Sequence, residues 1–90
     1  MYYVYVLQSQ KYKFLYTGST NNIKDRVVCH DKGLVSATKF RRPLKLIFYE
    51  AYITKSDAIR REFYFKTTKG KAALRIMLKD YFSERSCPRV

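Results

Sequence analysis

The segment Tyr2-Tyr3-Val4-Tyr5-Val6-Leu7-Gln8 constrains this chain more than any other. It is β-branched and aromatic almost throughout and lacks a polar alternation, so it reads as a strand buried on both faces. Such a strand needs a partner for its backbone groups and a layer of structure on each side. Ninety residues supply these within one compact domain. A chain of that length buries roughly 60–70% of the surface it exposes when unfolded.

The remaining elements follow from local pattern. Ser9-Gln10-Lys11 makes a turn, and Phe14-Leu15-Tyr16-Thr17 forms a second strand, closed by Gly18 and Ser19. The short connection favours an antiparallel hairpin. Alternation then sets Tyr3, Tyr5 and Leu7 on one face, and Phe14, Tyr16 and Gly18 on one face of the partner, so that Tyr5 and Tyr16 face each other. Asn21 and Asn22 are capping candidates for a helix in which Ile23, Val27 and Cys29 or His30 take helical spacing, with Gly33 as its stop. Residues 34–43 form a basic loop ending at Pro43. Leu44 to Tyr52 is a third strand, with Leu46, Phe48 and Glu50 on one face and Lys45, Ile47 and Tyr49 on the other.

Thr54 and Asp57 resemble a capping box and open a helix through about Phe65, with Ala58, Ile59, Glu62, Phe63 and Phe65 inward. A turn over Thr67-Thr68-Lys69-Gly70 leads to a last helix over roughly 71–80, with Ala73, Leu74, Met77 and Leu78 as its apolar stripe. Residues 83–90 carry no pattern and are expected to fray, leaving one domain over residues 1–82. The order is β-β-α-β-α-α. The expected class is α+β, a small three-stranded antiparallel sheet flanked by helices.

Charge narrows the partner. Nineteen Lys and Arg oppose seven Asp and Glu, for a formal net charge of +12. The apolar fraction of 47% is too high for a disordered basic tail, so the charge lies on a folded surface that attracts polyanions. Nucleic acid is the usual one, because Lys and Arg release counterions condensed on phosphates. Cys29 and Cys87 stand in no CxxC pair and read as free thiols in a reducing interior. Met1 runs straight into a strand, and no apolar run approaches the ~18 residues that span a bilayer. A soluble, cytoplasmic protein without a membrane partner is expected.

Five residues then stand out: Tyr5 and Tyr16 on the hairpin, Arg26 and His30 four apart on the first helix and so on one face, and Glu62 at the edge of an apolar helical stripe. A lone carboxylate there needs a cation, either a metal ion or an arginine. Taken singly, each has an ordinary reading. Strand tyrosines usually pack, an RxxxH pair is usually solvated, and a glutamate beside Arg60 and Arg61 is usually a surface salt bridge.

Their joint order along the chain is distinctive. Tyr3-Val4-Tyr5, followed some ten residues later by Tyr16-Thr17-Gly18, resembles the two triplets that name the GIY-YIG nucleases. The stretch from Gly18-Ser19-Thr20-Asn21 to Arg26 and His30, then Arg42-Pro43-Leu44, Tyr49-Glu50-Ala51 and Ala58-Ile59-Arg60-Arg61-Glu62, is similar to small single-domain members related to the UvrC N-terminal domain. Tyr3 and Val4 replace Gly and Ile of the first triplet, and Thr17 replaces Ile of the second.

The resemblance implies a metal-dependent endonuclease acting on DNA, including branched or single-stranded regions, in repair, recombination or structure processing. It implies that Tyr5, Tyr16, Arg26, His30 and Glu62 are catalytic. Glu62 would hold one Mg²⁺ or Mn²⁺, Arg26 would hold developing negative charge, and Tyr5 or Tyr16 would orient or deprotonate water, with Tyr5 favoured by analogy. His30 would bond a tyrosine or the phosphate, or pass the proton on. Gly18 would permit close approach. Lys39, Arg41, Arg42 and Lys69 are candidate phosphate contacts. No second domain that could choose the cutting site is visible. A binding module of the same fold with little turnover is therefore the alternative.

Overall fold

The computed structural model describes residues 1–86. Its elements are β1 (Tyr2–Ser9), β2 (Leu15–Thr20), α1 (Ile23–Asp31), β3 (Leu44–Tyr52), α2 (Lys55–Phe65), α3 (Thr68–Met77) and α4 (Lys79–Ser86), with one turn of 3-10 helix at Lys39–Arg41. The expected α+β class and β-β-α-β-α-α order hold, with α4 added. The three strands are antiparallel in the order β2-β1-β3.

The reading of the first segment is correct: β1 is the central strand, and Val4, Tyr5, Val6 and Leu7 are all buried. Val4 and Val6 point to one face and form the core with Ala58 and Phe65 of α2 and Leu74 of α3. Tyr5 and Leu7 point to the other face, beneath α1. Phe65 anchors the core, meeting Phe48 edge to face at 6.0 Å between centroids and carrying Arg61 over its ring at 4.4 Å. Arg61 in turn grips Glu50 through two hydrogen bonds, of 2.9 and 3.2 Å. Burial alone would push the Glu50 carboxyl up; its bonds from Arg61 and Tyr52 outweigh that and hold it below the ordinary carboxylate value.

Helix ends follow the expected chemistry. Asn22 accepts from Asp25 N–H at 3.1 Å, and Thr54 accepts from Asp57 N–H. After α1 the Gly33 N–H reaches His30 O and the Leu34 N–H reaches Cys29 O, which satisfies the last carbonyls through a left-handed Gly33 at φ 76°.

Several expectations are corrected. A register shift opposite Val6 and Leu7 sets Leu46 against Leu7 but Phe48 against Val6. The bulge moves Leu46 to the Tyr5 face, away from Phe48 and Glu50, because one extra residue inverts a two-residue period. Gly18 lies within β2 and does not close it. The last long helix begins at Thr68, since the Thr67 hydroxyl accepts from Gly70 N–H and caps it. Phe63 and Met77, read as inward, are 63% and 45% exposed. Helix α4 runs through Ser83 to Ser86, where a patternless tail was expected; the remainder of that tail, with Cys87, lies outside the described residues. Among the described residues no helix is long and apolar enough to cross a membrane.

This packing predicts that Phe65→Ala lowers the unfolding free energy by about 3–5 kcal/mol. Phe63→Ala should change it by less than about 0.5 kcal/mol. Urea denaturation followed by circular dichroism measures both.

Candidate active site

The hydroxyl of Tyr5 is the meeting point. Its strand partner is Gly18, and a Cβ at that position would lie 2.6 Å from the Tyr5 oxygen and 3.0 Å from Tyr16 Cε2. Glycine is therefore required by close approach, in a strand where its lack of a side chain is otherwise a cost. The direct partner of Tyr5 is Gly18, and Tyr16 stands opposite Leu7. The two tyrosines meet diagonally, with centroids 6.2 Å apart.

Helix α1 delivers the next two groups. Arg26 Nε donates to the Tyr5 oxygen at 3.3 Å, and His30 Nε2 lies 2.9 Å from it. His30 is completely buried. Its ring sits 5.0 Å from that of Tyr16 and 5.7 Å from that of Tyr5. Its other nitrogen, Nδ1, is 2.7 Å from Thr38 Oγ1, and Thr38 is also fully buried. Arg26 can only donate to the Tyr5 oxygen, so the Tyr5 hydroxyl proton has His30 Nε2 as its acceptor, which leaves Nδ1–H to donate to Thr38. Nε2 is then the unprotonated nitrogen, and the Tyr5 hydroxyl donates to it.

The titration of these groups agrees with that assignment. Burial, then the Arg26 charge, push His30 below its ordinary value of 6.5, so the ring is neutral at pH 7. Burial raises Tyr5 above its ordinary value; the Arg26 bond opposes this but does not overcome it. Tyr5 is thus a neutral phenol with a neutral imidazole ready to take its proton.

Glu62 approaches from α2, on the opposite face of the sheet. Ser19, the neighbour of Gly18, donates to Glu62 Oε1 at 2.7 Å, and Lys66 pairs with Oε2 at 2.7 Å. Lys66 therefore supplies the cation that the sequence required. Glu62 bonds Ser19 and Lys66 and neither tyrosine, but its charge adds to the elevation of Tyr5. The edge strand β2 touches both groups, through Ser19 to Glu62 and through Gly18 to the Tyr5 hydroxyl. A hollow of about 270 Å³ opens beside Ser19, lined also by Thr20, Asn21 and Lys55. Among the described residues no three His, Cys, Asp or Glu cluster as a closed metal cage. A single carboxylate fits a hard cation that keeps most of its waters.

The expected phosphate contacts are dispersed. Arg42 donates to Lys39 O and Asp31 O, Arg41 stacks on Phe14 at 4.5 Å, Lys39 lies over Phe40, and Lys69 is exposed in the first turn of α3. Ser19, Thr38 and Lys66 escaped the reading of the sequence. Lys66 was within reach, being four residues after Glu62 on one helix face. Thr38 was not, because its contact depends on how the loop after α1 folds back.

Comparison with known proteins places the arrangement. Residues 1–75 match the family model of the GIY-YIG catalytic domain. A UPF0213 protein of Staphylococcus haemolyticus is 38% identical over 77 residues, covering 84% of this chain and 93% of its own length. One from Clostridium perfringens is 34% identical over 87 residues, covering 96% and 92%. The solution structure of a UPF0213 protein from Bacillus halodurans superposes with a TM-score of 0.53 at 30% identity, over 86% of this chain and 85% of that one.

The buried neutral His30 predicts a stability loss in acid. The unfolded chain takes up the proton near pH 6.5, the folded one only lower. Stability present above pH 6.5 is therefore lost as pH falls through the folded value. Denaturation at stepped pH should show that slope in the native protein and not in His30→Gln. Thr38→Val, which strands Nδ1–H, should cost about 1–3 kcal/mol.

Proposed function

From the premise that this chain belongs to the GIY-YIG catalytic-domain family, we propose that it is an endonuclease hydrolysing phosphodiester bonds in DNA. The observation that carries the reading is the Tyr5 hydroxyl held between Arg26 Nε and His30 Nε2. A surface with formal charge +12 suits a polyanionic substrate.

Hydrolysis needs a base for water, yet a phenol that titrates above its ordinary value is a poor one alone. His30 resolves this. As water attacks phosphorus, its proton passes to the Tyr5 oxygen while the Tyr5 proton passes to His30 Nε2. The phenol stays neutral before and after, and the imidazole carries the charge. Thr38 holds the tautomer that makes Nε2 the acceptor. Arg26, whose donors bear on both Tyr5 and Tyr16, offers fixed positive charge to the pentacovalent phosphate. Tyr16 walls the imidazole and helps to position the water.

Glu62 would hold one divalent cation, Mg²⁺ or Mn²⁺, with Ser19 orienting its carboxylate. When bound, that ion supplies Lewis acidity at the phosphate and leaving oxygen. Lys66 then has to give way or turn to the phosphate. Backbone and shape recognition of branched or single-stranded DNA, in repair, recombination or structure processing within the cytoplasm, is the role we assign.

Purified protein with labelled flap, junction and duplex DNA and Mg²⁺ or Mn²⁺ tests the reading. Cleavage is expected, with Glu62→Gln and Tyr5→Phe each lowering the rate by about 10²–10⁴-fold while DNA binding persists. Gly18→Ala should reduce cleavage as well, by displacing the Tyr5 hydroxyl. Binding without cleavage of any substrate with either metal would overturn hydrolysis in favour of a binding module.

A further inference from the structure

A large open groove lies beside the site, not within it. It has a volume of about 1070 Å³ and runs between the β1–β2 turn, the exposed edge of β2 and helices α3 and α4. That exceeds the roughly 300–1,000 Å³ of small-molecule pockets, as a polymer track would. Five cations line it, Lys11, Lys13, Lys66, Lys71 and Arg75, and among the described side chains no Asp or Glu does. A lining this long with five cations and, among the described side chains, no carboxylate marks a surface for a polyanion.

Two further features specify the polyanion. Lys71 and Arg75 are four apart on α3 and so stand on one helix face, a spacing that offers successive charges along a track. Aromatic residues interleave with the cations: Tyr12, Phe14, Tyr16 and Phe82 belong to the same lining. Cations beside aromatic rings are the composition of single-strand grooves, in which phosphates meet charge and bases meet rings. The groove also joins the site, since Tyr16 belongs to both and Lys66 pairs with Glu62.

We propose that this groove binds the single strand of nucleic acid leading away from the scissile phosphate. This rests on the hydrolytic reading for the position of that phosphate. The chain would then grip its substrate by an unpaired tail, with Lys71 and Arg75 meeting phosphates of the tail. Substrate choice would thus be built into the catalytic domain itself.

The test is binding, measured by fluorescence anisotropy in EDTA so that cleavage does not intervene, on a blunt duplex and on the same duplex with a single-stranded tail. The full chain should bind the tailed duplex about tenfold more tightly. Lys71→Ala/Arg75→Ala and, independently, Lys11→Ala/Lys13→Ala should abolish that gain. The first pair should also lower the slope of log affinity against log salt by about 1.4, the value for two lost single-strand phosphates. Lys45→Ala/Arg60→Ala removes equal charge from β3 and from the exposed face of α2, and should keep the gain. A tail that adds nothing, or a gain that survives both groove pairs or is lost equally in the control, overturns the proposal. Groove pairs that keep the tail gain while the native chain cleaves would sink the groove alone. Loss of the gain in a chain that never cleaves would sink hydrolysis alone.

Discussion

Burial of β1 on both faces is the constraint from which the rest of the molecule follows. A central strand with Val4 and Val6 on one side and Tyr5 and Leu7 on the other demands two covering layers. Helices α2 and α3 cover the first and α1 the second. That division leaves β2 as an edge strand, and an edge is where catalytic groups from the two layers can approach one substrate. Core and site therefore share residues of one strand, and Tyr5 is at once among the largest buried side chains and the centre of the polar cluster.

The polar cluster is compatible with that burial because every member is satisfied. Among the described residues, no buried side-chain nitrogen or oxygen lacks a partner. Val35 O accepts from Thr38, Thr38 from His30, and His30 from Tyr5, while Arg26 donates to the same phenol. A hydroxyl eight residues downstream of His30 thus partners the imidazole nitrogen that Tyr5 does not. Burial, reinforced by the charge of Arg26, keeps His30 neutral, and burial keeps Tyr5 protonated. Both shifts favour a resting site without charge on its base.

Glu62 is governed by different physics. It lies in a protein with a large excess of cations, and Lys66 and Ser19 claim its two oxygens. A carboxylate restrained in that way is held ready for a cation without being stranded when none is bound. The groove between β2, α3 and α4 is lined by five cations and, among the described side chains, by no carboxylate.

Sequence alone determined what depends on short range. The apolar run made β1 central, Asn22 and Thr54 capped their helices, Gly33 ended α1, and the order of Tyr5, Tyr16, Gly18, Arg26, His30 and Glu62 matched a family. These are properties of period, capping and spacing, which neighbouring residues settle among themselves. Tertiary structure decided the rest. The bulge that turns Leu46 to the Tyr5 face depends on pairing with a strand some forty residues away. The burial of His30, its bond to Thr38, and the approach of Glu62 to the opposite side of the β2 rim depend on how α1, its following loop and α2 dock on the sheet. A helical period shows which residues share a face, but only packing shows what that face meets.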